Sequence, residues 1–269
     1  MVMLISRGTE EQVKKYHLKW IGQRKYDGVR CVAFCNGIVC LKGRNGTDLT
    51  KRFPKIVEEL KGLIGVFDGE IVCDTFKHTC MRAKTENKLK SSLLVDEYPA
   101  NLMVFDLIED KPYAYRYVDL NDVLSETEHI KIVESSKDLI GLWEKAKSGK
   151  WEGIVIKNPM GMWEDKRTKS QIKIKDVKSK DIDFTKYEIN PAGVKCSTAD
   201  DFYKVQVTGS NSLPVKDMID ETGSCKIEVE YLNVMDSGKL RMPVFKEIKT
   251  TKTEVLQEYH KEECSVGNL

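Results

Sequence analysis

Residues 25–41 read KYDGVRCVAFCNGIVCL and decide the fold of the first part of the chain. Two apolar runs flank Asn36-Gly37, and an Asn-Gly pair in that setting is a strong signal for a tight β-hairpin. Lys25 stands just before the first predicted strand. A lysine amine acts as a nucleophile only after losing its proton, which neighbouring cations or a bound metal favour. Taken alone, KYDGVR also fits a surface turn with a structural Asp-Gly.

The composition excludes two broad classes of protein. Of the 269 residues, 41% are hydrophobic and 32% are charged, which fits neither a disordered chain nor a membrane-embedded one. No run reaches the ~18 apolar residues that a spanning helix needs. The first 15 residues also lack the apolar core of a secretory signal. We therefore expect a cytoplasmic protein with no membrane partner.

The eight cysteines contain no C-x-x-C pair, which argues against a zinc site. Several lie in apolar runs, where a thiol behaves as a small hydrophobic group. We expect free thiols, as in a reducing cytoplasm.

Patterning along the chain predicts mixed strands and helices, followed by short strands. Each predicted strand of the first part is an apolar run. These runs are residues 64–73, interrupted at Asp68-Gly69, residues 101–108 and residues 152–157. Pro54 opens a predicted short helix, and apolar residues at helical spacing predict another within 134–148. In the last part, residues 225–231 alternate between apolar and charged residues, as in a half-buried strand. Short strands of this kind favour a small barrel such as an OB-fold.

Positive charge is concentrated in two stretches. Residues 157–186 hold nine lysines and arginines against five carboxylates, and residues 77–90 hold five against one. An excess of this kind is typical of proteins that bind a phosphate backbone, although a solvated surface gives the same pattern. From this charge density we predict that Arg82 and Lys84 contact DNA phosphates.

Several further motifs follow KYDGVR in order, on or beside predicted strands. They supply phosphate-binding cations, two carboxylates able to hold a divalent cation and an aromatic face: Arg44 in KGRNG, Glu70 in FDGE, Phe105 in MVFDLI, Glu152 in EGIVIK, and Lys173 and Lys175 in KIK. Taken singly, each has a structural interpretation, such as a core phenylalanine, a surface turn, a salt-bridged strand end or an exposed lysine. Their joint occurrence favours a nucleotide site.

This ordered set resembles the covalent nucleotidyltransferase superfamily, which comprises ATP-dependent DNA ligases, RNA ligases and mRNA capping enzymes. KYDGVR, FDGE, MVFDLI, EGIVIK and KIK resemble motifs I, III, IIIa, IV and V of that superfamily. Residues 240–245, LRMPVF, resemble motif VI of DNA ligases, and EGIVIKNPMGMWEDKRTKSQIKIK resembles the short ligases of T7-like bacteriophages. The resemblance implies an α+β fold of two domains. Residues 1–180 would form the nucleotidyltransferase (adenylation) domain, with ATP-grasp-like antiparallel sheets and helices, and residues 181–269 an OB-fold β-barrel.

The resemblance also implies roles for individual residues. Lys25 would be the catalytic residue that becomes linked to AMP. The nucleotide-binding residues implied alongside it are Gln23, Arg24, Arg30, Arg44, Glu70, Phe105, Arg167, Lys173 and Lys175. Glu70 and Glu152 would hold Mg²⁺, or Mn²⁺ in its place. The residues implied for motif VI are Arg241, Lys249 and Lys252.

Two departures from the family pattern concern leaving-group orientation and packing. DNA ligases usually carry arginine and aspartate where this chain has Lys249 and Thr251. A lysine neutralises pyrophosphate without bidentate geometry, so we predict weaker orientation of the leaving group. Gln171-Ile172 stands where a tryptophan often precedes motif V, which bears on nucleotide-site packing.

The resemblance predicts an ATP-dependent DNA ligase that acts in DNA repair, replication or recombination, as a monomer on nicked duplex DNA. A phage or virus is a possible source. Two other readings stay open at this point: an RNA ligase or capping-type nucleotidyltransferase, and a non-catalytic nucleic-acid-binding module.

Overall fold

The computed structural model describes residues 3–249, apart from the side chain of Lys88. Contacts between Cα atoms divide the chain into two compact units, with the division between Asp176 and Val177. The sequence predicts a boundary near residue 180. None of the helices among the described residues has the length and apolar character needed to cross a bilayer.

The first unit contains ten strands and six α-helices among its described residues. In chain order they are β1 (Leu4–Arg7), α1 (Glu10–Tyr16), β2 (Ile21–Lys25), β3 (Val29–Asn36), β4 (Ile38–Gly43), α2 (Pro54–Glu59), β5 (Ile64–Val72), α3 (Phe76–Lys84), α4 (Lys88–Glu97), β6 (Asn101–Leu107), α5 (Tyr113–Val123), β7 (Ile130–Ile132), β8 (Ser135–Ser136), α6 (Leu139–Ser148), β9 (Gly153–Lys157) and β10 (Arg167–Lys175).

The strands of this unit form two five-stranded sheets. The first sheet has the order β1-β10-β9-β2-β8, and only β1 and β10 run parallel in it. Its outer face packs on α1 and α6: Ile154 and Ile156 of β9 lie in a core cluster with Trp143. Val155 and Lys157 alternate with these isoleucines and so point to the opposite face.

The second sheet has the order β4-β3-β5-β6-β7, and only β6 and β7 run parallel in it. The predicted hairpin is confirmed as β3 and β4, with Gly37 at φ +72° in the turn between them. Cys31, Ala33 and Cys35 of β3 are buried in the core cluster of this sheet. Arg30 therefore lies on the other face, directly opposite Glu70 of β5.

The predicted interruption of residues 64–73 is wrong, because β5 runs without a break from Ile64 to Val72. The irregularity lies instead in its neighbour. Asp68 pairs with Asp106 and Gly69 pairs with Val104, so Phe105 is an extra residue in β6. A β-bulge of this kind bends its strand and redirects a side chain, and bulges are common beside functional sites.

The second unit contains two three-stranded sheets and one α-helix among its described residues. In chain order the elements are β11 (Lys178–Phe184), β12 (Lys186–Asn190), β13 (Gly193–Ser197), β14 (Lys204–Val207), α7 (Ser212–Thr222), β15 (Cys225–Tyr231) and β16 (Val244–Ile248). The sheets have the orders β11-β15-β16 and β12-β13-β14 and do not join into a closed barrel within residues 177–249.

The second unit departs from its sequence pattern at Glu228, which is 94% buried although it lies on the charged face of β15. Its carboxylate accepts hydrogen bonds from Lys246 and makes an ion pair with Lys249, and these two side chains cover it.

Seven cysteines lie among the described residues and all are free thiols. Burial raises the pKa of Cys35 to about 11 and that of Cys196 to about 12. The eighth, Cys264, lies outside the described residues.

Candidate active site

The centre of the site is a pair of side chains brought together by two neighbouring strands. Lys25 ends β2 and lies opposite Gly153, the first residue of β9, and Glu152 directly precedes that glycine. Gly153 has φ +144°, and a Cβ there would lie 2.0 Å from the carbonyl oxygen of Ile174. Only glycine lets the backbone come this close to β10, so the glycine of EGIVIK brings Glu152 into the site.

Glu152 binds two lysines at once. Its Oε2 lies 2.5 Å from Lys25 Nζ, and its Oε1 lies 2.7 Å from Lys175 Nζ. The side chain of Glu152 is 6% exposed, whereas those of the lysines are 20% and 16% exposed. The candidate nucleophile and the candidate metal ligand are therefore in direct contact.

Lys173 adds a further cation to this group. It lies two residues before Lys175 on β10, opposite Val155, so both lysines point to the same face. Partial burial lowers the pKa of Lys173, and the neighbouring charges of Lys175 and Lys25 act in the same direction. Positive charge is thus crowded here, which favours binding of an anion.

A cleft opens beside Lys25. Six of the residues predicted to bind nucleotide line it: Gln23, Arg24, Lys25, Arg30, Glu70 and Phe105. Val155 and Lys157 of β9 also line the cleft, together with Gln171 of β10. The two sheets of the first unit therefore both contribute to its walls.

Glu70, the second predicted metal ligand, has a different environment from Glu152. Burial raises the pKa of Glu70 to about 7, and the charges of Lys25 and Arg30 only partly oppose this. Near neutral pH its carboxyl group is thus divided between the protonated and ionised forms.

Arg30 is held by a carboxylate that the sequence does not assign to the site. Its Nε donates a hydrogen bond to Asp68 Oδ1 at 2.5 Å, and its Nη2 donates to Asp68 Oδ2. The guanidinium carbon lies 4.7 Å from the centre of the Phe105 ring. Asp68 is 1% exposed, so this bidentate pair fixes both the arginine and the aromatic wall of the cleft.

Gln23 and Arg24 also line the cleft. Gln23 Nε2 donates to the carbonyl of Val133 at 3.0 Å, while its buried Oε1 has no hydrogen-bond partner among the described residues. The Arg24 guanidinium lies over the rings of Tyr26 and Trp151, at 4.6 and 4.7 Å from their centres. The unpartnered oxygen of Gln23 is thus an acceptor that a ligand in the cleft can satisfy.

Other predicted residues lie away from this cleft. Arg44 is exposed in the turn after β4 and, with Lys84, lines a separate open cleft. Arg167 begins β10, where its Nη1 donates to the carbonyl of Ile5 at 3.0 Å. The structure brings neither arginine to the Lys25 cleft.

Arg82, which is predicted to contact DNA phosphates, is a buried side chain in the structure. Arg82 is 4% exposed, and its Nη1 and Nη2 donate to the carbonyls of Tyr98 and Arg52 at 2.7 and 2.9 Å. Its guanidinium also lies 4.7 Å from the centre of the Phe53 ring. Arg82 therefore holds α3 against its neighbours, and charge counting could not show that its two Nη groups already donate to backbone carbonyls.

The residues of the predicted motif VI belong to the second unit. Lys249 makes ion pairs with Glu228 and Glu247, both at 2.6 Å. Its hydrogen bonds to these two carboxylates raise the pKa of Lys249. Arg241 lies between Leu240 and Met242, before β16, and Lys252 lies outside the described residues.

Sequence reasoning gives neither Asp68 nor Lys157 a role in the nucleotide site. Lys157 is 2% exposed and contributes to the cleft wall. The only sequence signal for Lys157 is its position two residues after Val155, on the same face of an otherwise apolar strand.

Comparison with known proteins identifies the family of the first unit. Residues 2–175, more than half of the chain, match the model of the ATP dependent DNA ligase domain. A DNA ligase of Pyrobaculum islandicum is 30% identical over 187 residues, covering 61% of this chain and 32% of that protein. The bifunctional non-homologous end joining protein LigD of Bacillus subtilis is 27% identical over 206 residues, covering 64% of this chain and 34% of that protein. This chain spans about a third of the length of these relatives.

Solved structures share the fold at low sequence identity. The structure Pmar-Lig_PreS3 has a TM-score of 0.73 and 19% identity, covering 92% of this chain and 67% of that one. A Lig E DNA ligase has a TM-score of 0.68 and 15% identity, covering 92% and 98%. The ATP-dependent DNA ligase of bacteriophage T7 in complex with ATP has a TM-score of 0.51 and 16% identity, with the same coverage. The sequence-based resemblance is confirmed, and the chain belongs to the ATP-dependent DNA ligase family.

Proposed function

We propose that this chain uses ATP to join 3′-hydroxyl and 5′-phosphate ends at a nick in duplex DNA. The observation that carries the proposal is the contact of Lys25 and Lys175 with the two oxygens of Glu152, beside the cleft lined by Phe105. Membership of the ATP-dependent DNA ligase family supports the same reaction.

In the first step the neutral amine of Lys25 attacks the α-phosphorus of ATP. An N–P bond forms while the bond from that phosphorus to the bridging oxygen breaks, and pyrophosphate leaves. Glu152 Oε2, 2.5 Å from Nζ, can accept the proton that the amine releases. Lys173 and Lys175 stabilise the negative charge that develops on the phosphoryl oxygens.

In the later steps AMP passes from Lys25 to the DNA and is then released. A 5′-phosphate oxygen attacks the lysyl-AMP phosphorus, so that the N–P bond breaks and a pyrophosphate linkage to DNA forms. The 3′-hydroxyl then attacks the DNA phosphorus, loses its proton, and AMP leaves. A simple phosphate monoester lacks a good leaving group, and adenylation supplies one.

Gln23 and Phe105 are proposed to recognise the adenine base. The unpartnered Oε1 of Gln23 is an acceptor suited to the exocyclic amine of adenine, whereas guanine presents a carbonyl oxygen at the corresponding ring position. The Phe105 ring supplies a stacking surface in the same cleft. This arrangement favours ATP over GTP.

Glu152 and Glu70 fit a divalent cation, because carboxylate oxygens are preferred ligands of Mg²⁺ and Mn²⁺. Both lie beside Lys25: Glu152 contacts it directly and Glu70 shares the cleft wall with it. When bound, such a cation would offset the negative charge of the phosphates. We propose Mg²⁺, with Mn²⁺ able to replace it.

The remaining assignments rest on the sequence and the charge distribution. Residues 1–180 are proposed as the adenylation domain and residues 181–269 as an OB-fold domain, with Arg241, Lys249 and Lys252 acting on pyrophosphate. Arg44 and Lys84 share an exposed cleft that suits the DNA phosphate backbone. We further propose that the protein acts as a monomer. A cytoplasmic location and a phage or viral source stay predictions.

The proposal is tested by treating the full chain with ATP and Mg²⁺ and measuring its mass. We expect one AMP adduct at Lys25, absent in Lys25→Ala and retained in Lys61→Ala. Lys61 is a matched control because it is 60% exposed and forms a surface ion pair with Glu58. An adduct from GTP instead of ATP, or an adduct at another lysine, would contradict the proposed nucleotide site.

Strand joining is measured on a nicked DNA duplex and on the same nick in RNA. We expect joining of DNA and loss of that activity in Lys25→Ala. Joining of RNA alone would favour an RNA ligase. Adenylylation without joining of either substrate would support the nucleotide chemistry and contradict the proposal that the protein joins DNA.

A further inference from the structure

Lys157 is a buried lysine that the proposed chemistry does not use. It ends β9, is 2% exposed, and has no carboxylate within salt-bridge distance among the described residues. Burying an ammonium group without a paired charge is costly, so a lysine is an unexpected choice in this position unless it has a specific partner.

The partner of Lys157 is the backbone of the bulge in β6. Its Nζ donates a hydrogen bond to the carbonyl oxygen of Phe105 at 2.9 Å. Phe105 is the extra residue in the pairing of β5 with β6, and the pairing of β6 with β7 covers only 102–104. A bulge leaves its residue out of the ladder, and Lys157 supplies the donor that this carbonyl would otherwise lack.

Two aromatic rings complete the surroundings of the ammonium group. Nζ lies 4.9 Å from the centre of the Phe105 ring and 4.2 Å from that of the Tyr113 ring. Cations are attracted to aromatic faces at such distances. Lys157 is therefore bound to both the backbone and the side chain of Phe105.

The nearby carboxylates are already paired with other cations. Arg30 binds Asp68, and Arg116 binds Asp106 through Nε at 2.8 Å and Nη2 at 2.9 Å. Burial lowers the pKa of Lys157 to about 7, although the charges of Asp106 and Asp68 oppose this shift. Among residues 3–249, the amine donates its hydrogen bond to the Phe105 carbonyl and not to a carboxylate.

These contacts join the two sheets of the first unit, because β9 belongs to one and β6 to the other. We propose that Lys157 is a positioning residue, which holds the bulge of β6 so that the Phe105 ring faces the base of a bound nucleotide. The inference rests on the proposed nucleotide site. It extends that site by giving Lys157 an indirect role in base stacking, which it performs by positioning Phe105. Lys157 takes no part in phosphoryl transfer, which uses Lys25, Glu152 and Lys175.

The test compares self-adenylylation by the full-length wild type, Lys157→Met, Phe105→Leu and the double variant. Methionine keeps the approximate length of the side chain but removes the donor and the charge. We expect Lys157→Met to raise the half-saturating ATP concentration about tenfold to a hundredfold, or roughly 1.4–2.8 kcal/mol. Its maximal rate should stay within about threefold of the wild type, because the reacting groups are unchanged.

The double variant tests whether Lys157 acts through Phe105. If so, Lys157→Met adds no further loss once the ring is absent, and the double variant matches Phe105→Leu. Additive losses would overturn the inference, as would an unchanged ATP dependence in Lys157→Met. Absence of any adduct in the wild type would overturn the proposed function and, with it, this inference.

Folding is followed separately so that instability is not mistaken for lost positioning. The final yield of adenylate gives the active fraction of each variant, and the ATP dependence is measured on that fraction. If Lys157→Met does not fold, Lys157→Gln, which keeps an amide donor, replaces it. Because glutamine keeps a donor for the Phe105 carbonyl, we expect a smaller rise in half-saturating ATP than in Phe105→Leu. A rise as large as that of Phe105→Leu would overturn the role of this hydrogen bond.

Discussion

Replacing Arg116 by methionine should destabilise the first unit strongly. Arg116 is 0% exposed and donates two hydrogen bonds to Asp106, which is 1% exposed, and two more to the carbonyls of Lys111 and Gly161. The substitution leaves a buried carboxylate without its partner, which costs about 3–5 kcal/mol. The two carbonyls lose donors as well, at about 1 kcal/mol each, so we expect a loss near the upper end of that range.

The double variant Asp106→Val with Arg116→Met separates the stranded charge from the lost hydrogen bonds. With the carboxylate gone, the remaining cost is mainly that of the two carbonyls. The double variant should therefore be more stable than Arg116→Met by about 2 kcal/mol or more.

Urea unfolding followed by tryptophan fluorescence measures this difference in the intact chain. All four tryptophans lie before Asp176, so their signal reports the first unit. A free energy of unfolding within about 1 kcal/mol of wild type for Arg116→Met would refute the reasoning. So would a double variant less stable than the single one.

Three further predictions concern backbone strain and titration. Gly153→Ala should cost more than about 3 kcal/mol, because its Cβ would lie 2.0 Å from a backbone oxygen of β10. Gly46→Ala, at φ +79° with nothing within 4 Å of its Cβ, is the control and should cost about 1 kcal/mol. Thermal unfolding of the two variants measures both costs. Glu228, with its pKa lowered to about 2 by hydrogen bonds from two lysines, should stabilise the second unit above pH ~4.5 and lose that effect as the pH falls towards 2. Circular dichroism should show no such loss in Glu228→Gln, and an identical acid transition would contradict this. Glu70, with its pKa raised to about 7, binds more protons folded than unfolded between pH ~4.5 and 7, so stability should fall as the pH rises through that window. Glu70→Gln should gain up to about 3 kcal/mol relative to wild type at pH 8 compared with pH 4, and urea midpoints at the two pH values measure it.

The hairpin and the grouping of Lys25 with Glu152 are the features that sequence predicts best, the first from local turn chemistry and the second from the ordered motifs. Asn36-Gly37 specifies its turn through backbone conformation, independent of what packs around it. Lys25 ends β2 and Lys175 ends β10, while Glu152 directly precedes β9, the antiparallel strand between them, so the three side chains meet at one edge of the sheet. Whether a charged side chain is exposed depends on distant parts of the chain, and no local pattern reports it.

Arg82 and Glu228 show how this limit acts. Both appear in charged stretches, and a charge count treats each as a surface group. In the structure Arg82 donates to backbone carbonyls 16 and 30 residues away. Glu228 pairs with Lys246 and Lys249, which follow it by 18 residues or more. Formal charge therefore overstates the positive surface between residues 77 and 90 that is available to DNA.

The same accounting explains why the Lys25 cleft suits a polyphosphate. Arg30 is balanced by Asp68, and Lys25 shares the single charge of Glu152 with Lys175. Glu70 contributes only part of a negative charge near neutral pH, because burial raises its pKa to about 7. The group thus carries more cations than ionised carboxylates, and an anion bound there would relieve the repulsion among its lysines. ATP should therefore stabilise the first unit against unfolding, most strongly at low salt, where these charges are least screened.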